Sequence, residues 1–175
     1  MIKSLIFGSH AADVRLVGFD EESEVDLSSE FSGETQVLTD AAADSMGVVV
    51  VRGLHFRFKD LSRYSVVVFK DGFLLDVAEC NLHESAADSE LKVYSFRSVN
   101  FGLIVDDDID SEIIWRQLSE KSDGIVAVVR SVDDSRYRRI EKLQEYFGIP
   151  ALVCCGDKLH CFGTKPLMSV SDPTR

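Results

Sequence analysis

Apolar residues fall into short continuous runs, and in the second half of the chain these runs alternate with segments of helical spacing. Strands are predicted at 101–105, 125–129 and 151–155, and helices at 110–121 and 135–147. Strands that are apolar at nearly every position are typical of a sheet covered by helices. Gly148 follows the last of these helices and predicts its end. This half therefore predicts an α/β architecture.

The first half carries a different pattern, with strands predicted at 1–7, 48–51, 64–69 and 73–77 and a helix at 35–46. The sequence Lys-Asp-Gly at 70–72 is a strong hairpin signal. Residues 81–90 are predicted as a polar loop, and residues 19–34 as an acidic, flexible one. A hairpin beside the alternating segments predicts a mixed sheet. No repeat or linker interrupts the chain, so we expect one domain over 1–175.

Composition narrows the classes of function. The 175 residues are 45% hydrophobic with a net charge of −11, which argues against nucleic acid and anionic membranes as partners. No apolar run is long enough to span a bilayer, and residues 1–7 resemble a strand more than a signal peptide, so we expect a cytoplasmic protein. The cysteines lack metal-ligand spacing, and Cys154 and Cys155 are expected to be buried free thiols.

Three consecutive acids, Asp106, Asp107 and Asp108, end the apolar run that starts at Gly102. Polar groups at the carboxyl end of a buried strand are where α/β folds place their chemistry. One interpretation is that acids here, with Ser111, cap the following helix. Another is a Mg²⁺ site, because clustered carboxylates are good ligands for that ion. The sequence leaves both open.

The segment 103–108 also resembles the first strand of response-regulator receiver domains, and residues 164–167 resemble their late Lys-Pro motif. This resemblance implies a signalling module with Mg²⁺ at the acids. However, the third strand after position 101 ends in Cys-Cys-Gly, where a receiver carries its phosphoacceptor aspartate.

A second resemblance covers more of the chain. The segment 102–108 is similar to the Gly-x-x-Ile-Cys-x-Asp motif of the nitrilase, or carbon-nitrogen hydrolase, superfamily, with Asp106 at the cysteine position. Other segments resemble that family in the same order, namely 41–53, 64–72, 121–131, 138–153 and 163–164. The resemblance implies a nitrilase-like, mixed-sheet α-β-β-α sandwich.

That family uses a Glu-Lys-Cys triad in which a base, a cation and a thiol cooperate. Carried over by position, the triad falls on Glu30, Glu79 and Asp106, so the lysine and the cysteine are both replaced by acids. The remaining pocket candidates are Asp107, Asp108, Cys80 and His83. Three acids in one pocket would raise some of their pKa values.

The resemblance thus implies a protein that is inactive in amide or nitrile hydrolysis, needs no cofactor and binds a small molecule or a protein partner. The alternative is a divergent hydrolase with an acidic, metal-binding pocket. Relatives in this family pair through helices, which implies a homodimer. Ile113, Trp115 and Tyr137 are candidates for that interface or, equally, for the core.

Overall fold

The computed structural model describes residues 6–7, 10–11, 14–20, 24–26, 32–80, 91–96 and 99–163. The strands are β1 (Ile6–Phe7), β2 (His10–Ala11), β3 (Val14–Val17), β4 (Glu24–Asp26), β5 (Val49–Phe58), β6 (Leu61–Lys70), β7 (Phe73–Glu79), β8 (Lys92–Phe96), β9 (Val99–Val105), β10 (Gly124–Val129), β11 (Ala151–Cys155) and β12 (Lys158–Phe162). The helices are α1 (Ser32–Asp44), α2 (Glu112–Lys121) and α3 (Asp134–Phe147).

Two mixed sheets face each other. The first has the strand order β3-β5-β6-β7, with β3 and β4 parallel to β5 and the remaining pairs antiparallel. The second has the order β12-β11-β10-β9-β8, in which β9, β10 and β11 are parallel and both outer strands are antiparallel. This arrangement confirms the predicted mixed-sheet α-β-β-α sandwich.

The apolar side chains form three layers, because neighbouring residues of a strand point to opposite faces of its sheet. Val51 and Val68 of the first sheet meet Phe101 and Val126 of the second in the central layer. Helix α1 covers the outer face of the first sheet around Ala41. Helices α2 and α3 cover the second sheet. Within the described ranges, no helix is long and apolar enough to cross a membrane.

Gly18 and Gly156 face each other, so the backbones of the two sheets come into contact at one edge of the sandwich. A Cβ atom on Gly18, after β3, would overlap the backbone of Gly156, in the turn after β11. Only glycine at position 18 therefore allows this approach.

At the opposite edge of the sandwich, Asp76 of β7 ties the sheets together. Its Oδ2 accepts a hydrogen bond of 2.8 Å from the Tyr94 hydroxyl and lies 3.0 Å from Lys92 Nζ, both on β8. Burial alone would raise the pKa of Asp76, but the hydrogen bonds from Tyr94 and Lys92 outweigh it and lower the pKa below its usual value.

Several boundaries differ from the predictions. The strand predicted at 48–51 continues to Phe58, and a second hairpin joins it to β6 through a turn that contains no glycine. Lys59 takes φ +55° there, a conformation for which the sequence carries no usual signal. The predicted loop at 19–34 contains β4 and the start of α1, and the predictions lack strands β2, β3, β8 and β12. The predicted loop at 81–90 lies outside the described residues. Strands β8 and β12 lie at sheet edges and are only partly buried, which weakens their apolar pattern.

The Lys-Asp-Gly hairpin is confirmed between β6 and β7, with positive φ at both Asp71 and Gly72. The Ser45 carbonyl accepts a 2.9 Å hydrogen bond from the Asp71 amide, and the Ser45 hydroxyl accepts one of 2.8 Å from the Gly72 amide. The end of α1 is thereby attached to this turn.

The Asp76 contacts predict a pH dependence of stability. Because the folded-state pKa is lowered, the carboxylate contributes stability above its unfolded pKa of about 3.9 and loses that contribution as pH falls through the folded pKa. We expect Asp76→Asn to lower the free energy of unfolding at pH 7 and to make it less sensitive to acid. Urea denaturation between pH 7 and pH 3 measures this. Asp60→Asn, at an exposed turn, is the matched control.

The single tryptophan gives a second prediction. Trp115 of α2 is fully buried, and its Nε1 donates a 2.8 Å hydrogen bond to the Ile109 carbonyl. Trp115→Phe removes this bond and leaves a small cavity, so we expect a loss of about 2–4 kcal/mol in the free energy of unfolding. Tyr146→Phe, at a position 75% exposed, should change it by less than about 0.5 kcal/mol. Equal effects in chemical denaturation would contradict this placement of Trp115.

Candidate functional site

Opposite charges follow two neighbouring parallel strands. Strand β9 ends at Val105 and is followed by Asp106, while β10 ends at Val129 and is followed by Arg130. Val105 pairs with Val128, so the two ends lie side by side. The carboxyl ends of parallel strands are the usual place for binding groups in an open α/β sheet. This edge is the candidate functional site.

The backbone at Asp106 changes conformation abruptly. Val105 is extended, with φ −113°, whereas Asp106 has φ +49°, in the left-handed region. Most side chains are disfavoured in this region, and Asp and Asn tolerate it best after glycine. A 3₁₀ turn, Asp106–Asp110, starts at this residue and leads to α2. The sharp turn places the Asp106 carboxylate at the strand end, where it is buried.

Arg130 occupies both oxygens of that carboxylate. The Arg130 amide donates to Asp106 Oδ1 at 3.1 Å, and its Nε donates to Oδ2 at 2.6 Å. Partial burial alone would lower the pKa of Arg130, but the hydrogen bond and the charge of Asp106, with the charge of Asp107, raise it. The pair is therefore a charge-assisted contact at the mouth of the inter-sheet layer.

Tyr64 of the first sheet covers the pair. The Arg130 guanidinium carbon lies 4.5 Å from the centre of the Tyr64 ring, a cation–π contact. Tyr64 in turn stacks on His55 at 4.3 Å and meets the edge of Phe19 at 5.3 Å. A residue of the first sheet thus packs on the arginine that binds Asp106.

A second arginine binds two further acids of the turn, Asp107 and Asp110. Arg136 of α3 donates to Asp107 at 2.5 Å and to Asp110 at 2.7 Å. Burial would lower the pKa of Arg136, but these two carboxylates raise it. Arg139 donates to the Asp110 carbonyl at 2.8 Å. A groove of about 460 Å³ lies beside these contacts, lined by Asp107, Asp110, Ser131, Asp133, Ser135, Arg136 and Arg139.

The contacts that the acids make in the structure differ from the predicted helix capping and metal binding. Ser111 is the N-cap of α2, but its side chain makes no capping hydrogen bond. Asp106, Asp107 and Asp110 bind arginines instead. In the part of the chain that the structure describes, no group of three His, Cys, Asp or Glu side chains could hold a metal ion.

The other predicted site residues are only partly brought together. Cys80 faces the central layer, and its thiol donates to Asp108 Oδ1 at 3.4 Å. Glu79, one residue earlier on β7, points to the opposite face, where it accepts from Ser65 Oγ at 3.2 Å and from Arg63 at 3.3 Å. Glu79 therefore does not share a pocket with Asp106. Glu30 and His83 lie outside the described residues.

Two cysteines, Cys154 and Cys155, lie at the end of β11. Cys154 is buried, and Cys155 is half-buried. The Cys155 thiol donates to the Arg130 carbonyl at 3.4 Å. Burial raises the pKa of Cys155, which disfavours its nucleophilic thiolate form.

Comparison with known proteins gives the fold. No protein-family profile and no curated protein matches the sequence. Among solved structures, an amidase from Nesterenkonia sp. AN1 in complex with butyramide matches with TM-score 0.56 and 10% identity, over 71% of this chain and 52% of the amidase. A variant of the same amidase with fluoroacetamide-derived acetamide on its active-site cysteine matches with TM-score 0.57 and 13% identity, over 79% and 61%.

Glutamine-dependent NAD⁺ synthetase from Acinetobacter baumannii matches with TM-score 0.56 and 20% identity, over 78% of this chain and 30% of the synthetase. The chain thus spans about half the length of the amidase and has the fold of nitrilase-superfamily amidases. The receiver alternative is inconsistent with this fold, because a receiver has a single parallel sheet and this chain has two mixed sheets.

Sequence reasoning missed the cations of the site. No role was predicted for the two arginines, Arg130 and Arg136, or for Tyr64, which packs on Arg130. Arg130 nevertheless follows a buried strand, as Asp106 does. A signal was present in the residues after the strands, since the predicted strands 101–105 and 125–129 are followed by opposite charges. Tyr64 comes from the other sheet, and no local pattern indicates a contact between sheets.

Because of the Asp106–Arg130 pair, we expect replacement of Arg130 to lower the free energy of unfolding more than replacement of Arg116. Arg130→Ala leaves a buried carboxylate without its side-chain partner, and we expect a loss of about 1–3 kcal/mol in the free energy of unfolding. Arg116→Ala removes an exposed i,i+4 pair with Glu112 and should cost less than about 0.5 kcal/mol. Adding Asp106→Asn to Arg130→Ala removes the stranded charge and should recover part of the loss in urea denaturation. Additive effects in this cycle would contradict the coupling.

Proposed function

We propose that this chain is a nitrilase-like protein that does not hydrolyse amides or nitriles and acts by binding a small molecule or a protein partner. The observation that carries the proposal is the Asp106–Arg130 pair. The resemblance places the attacking thiol of the family at position 106, where this chain has a carboxylate with both oxygens hydrogen-bonded to Arg130.

Amide hydrolysis needs a nucleophile with open access and a positive or hydrogen-bonding group for the developing oxyanion. The Asp106 carboxylate is 6% exposed and is bound by Arg130, whose guanidinium packs on the Tyr64 ring. Arg130 and Arg136, the cations beside the acids, are each ion-paired to carboxylates. A substrate would have to displace these contacts before it met either group.

The groove beside the 3₁₀ turn supports the proposed binding role. It carries the hydroxyls of Ser131 and Ser135 and the guanidinium of Arg139. With the carboxylates of Asp107, Asp110 and Asp133 in the same lining, such groups suit a small polar molecule that both donates and accepts hydrogen bonds. We therefore place the ligand of the proposed function in this groove.

A second candidate function rests on Cys80. Its thiol contacts the Asp108 carboxylate, at a position where the sequence resemblance expects no cysteine. A carboxylate next to a thiol can accept its proton, which is the first requirement of a displaced nucleophile. This candidate is a divergent hydrolase that works through Cys80 instead of position 106.

Ammonia release separates the two candidates. We expect the protein, incubated with butyramide or glutamine, to release no ammonia above the buffer background, while the Nesterenkonia amidase with butyramide provides the positive control. Release that is lost in Cys80→Ser and retained in Asp106→Asn would contradict the proposal and establish the second candidate. Circular dichroism of both variants shows whether they fold, so that loss of fold is not mistaken for loss of activity.

A further inference from the structure

The groove beside the 3₁₀ turn presents two opposite charges from one helix. Asp133 is the N-cap of α3, and Arg139 follows it on the same helix, with both side chains in the lining. Six residues of an α-helix rise by about 9 Å, and side chains at that spacing are not neighbours on the helix surface. Among the described residues, the ion pair of Arg139 is with Asp110 and not with Asp133. These two charges therefore do not neutralise each other.

The Asp133 carboxylate has one oxygen available to a ligand. Its Oδ1 accepts a 2.7 Å hydrogen bond from the Arg136 amide, which caps the helix. In the part of the chain that the structure describes, Oδ2 accepts no hydrogen bond. The residue is exposed, and the capping bond holds its carboxylate at the groove. Asp133 can thus bind a cationic group without losing its role as a cap.

The Arg139 guanidinium has donors that remain available in the same way. Its Nε and Nη2 donate to the Asp110 carbonyl at 3.1 Å and 2.8 Å, and these bonds fix its position. Nη1 donates to none of the described residues, and the side chain is 58% exposed. Arg136, in contrast, is 16% exposed and is ion-paired to two carboxylates of the turn. Arg139 is therefore the cation of the groove that can meet a ligand.

The size and the charges of the groove select among ligand classes. Its volume of about 460 Å³ lies within the range of about 300–1,000 Å³ that is usual for small-molecule sites. A simple anion is repelled by the three carboxylates of the lining, and a simple cation leaves the available donors of Arg139 without a partner. An apolar molecule leaves both charges without partners. A molecule with a positive and a negative end pairs with Asp133 and with Arg139 at once.

We propose that the groove binds a small zwitterion, namely an amino acid whose ammonium and carboxylate groups are separated by a short chain. The ammonium group binds Asp133, and the carboxylate binds Arg139. Because the two residues are separated along α3, the ligand needs a chain between its charges, as in 4-aminobutyrate. The hydroxyls of Ser131 and Ser135 lie in the same lining and can bind either end. This inference rests on the proposed function, because it names a ligand class for the groove in which that function places its ligand.

Three molecules with the same four-carbon chain test the proposal. 4-Aminobutyrate carries both charges, butylamine carries only the positive charge and butyrate carries only the negative one. Titration of the ¹⁵N-labelled full chain, followed through its backbone amide signals, gives a dissociation constant for each molecule. We expect 4-aminobutyrate to bind at least about tenfold more tightly than either of the other two and to shift the amides of Ser131 and Ser135. Equal affinity for 4-aminobutyrate and one of the other molecules, or no shift of these amides, would overturn the proposal.

Two variants test which residue binds which charge. Asp133→Ser keeps a residue that caps a helix but removes the carboxylate, so we expect it to bind 4-aminobutyrate only as weakly as the wild type binds butyrate. Arg139→Gln should bind 4-aminobutyrate only as weakly as the wild type binds butylamine. Asp134→Ser and Arg138→Gln make the same changes at exposed positions outside the lining and should leave the dissociation constant unchanged. Equal weakening in these controls would contradict the assignment.

The outcomes separate this inference from the proposed function. Ammonia release from butyramide contradicts the proposed lack of hydrolysis and leaves the dissociation constants of the three molecules as they are. Tight binding of butylamine or butyrate alone, without ammonia release, retains a binding protein and overturns only the zwitterion as its ligand.

Discussion

The contact between Asp106 and Arg130 sets the character of the candidate site. Parallel pairing of β9 with β10 places the two strand ends side by side, and the left-handed backbone at Asp106 points its carboxylate at the arginine. A buried carboxylate without a partner is costly, and the Arg130 side chain provides that partner for Asp106. Tyr64 then covers the arginine from the other sheet. The contacts at this end of the sandwich therefore neutralise the charge of Asp106.

Proteins of the same fold can carry different chemical groups at their functional sites. The solved amidase with the same fold carries an active-site cysteine, whereas the strand end here holds an ion pair. Fold similarity alone therefore carries less functional information than the partners of one side chain.

The alternating half was predicted from the pattern of buried strands and amphipathic helices, whereas the two-sheet sandwich was implied by the family resemblance. Asp106 was also identified as the central residue. The sheet face on which the Glu79 side chain lies was not predicted. A shift of one residue along a strand moves a side chain to the opposite face, and matching positions with a family is not accurate to one residue. The roles of Arg130 and Tyr64 depend on contacts between distant segments, for which one sequence holds no direct signal.

The fastening of the two sheets at both edges has a consequence for motion. Gly18 and Gly156 join them by backbone contact at one edge, and Asp76 joins them through Lys92 and Tyr94 at the other. Neither sheet can slide or tilt without breaking one of these joints and exposing the apolar layer between them. The sandwich then opens as one cooperative unit, so the amides of β6 and of β10 exchange with solvent through a shared event and not sheet by sheet.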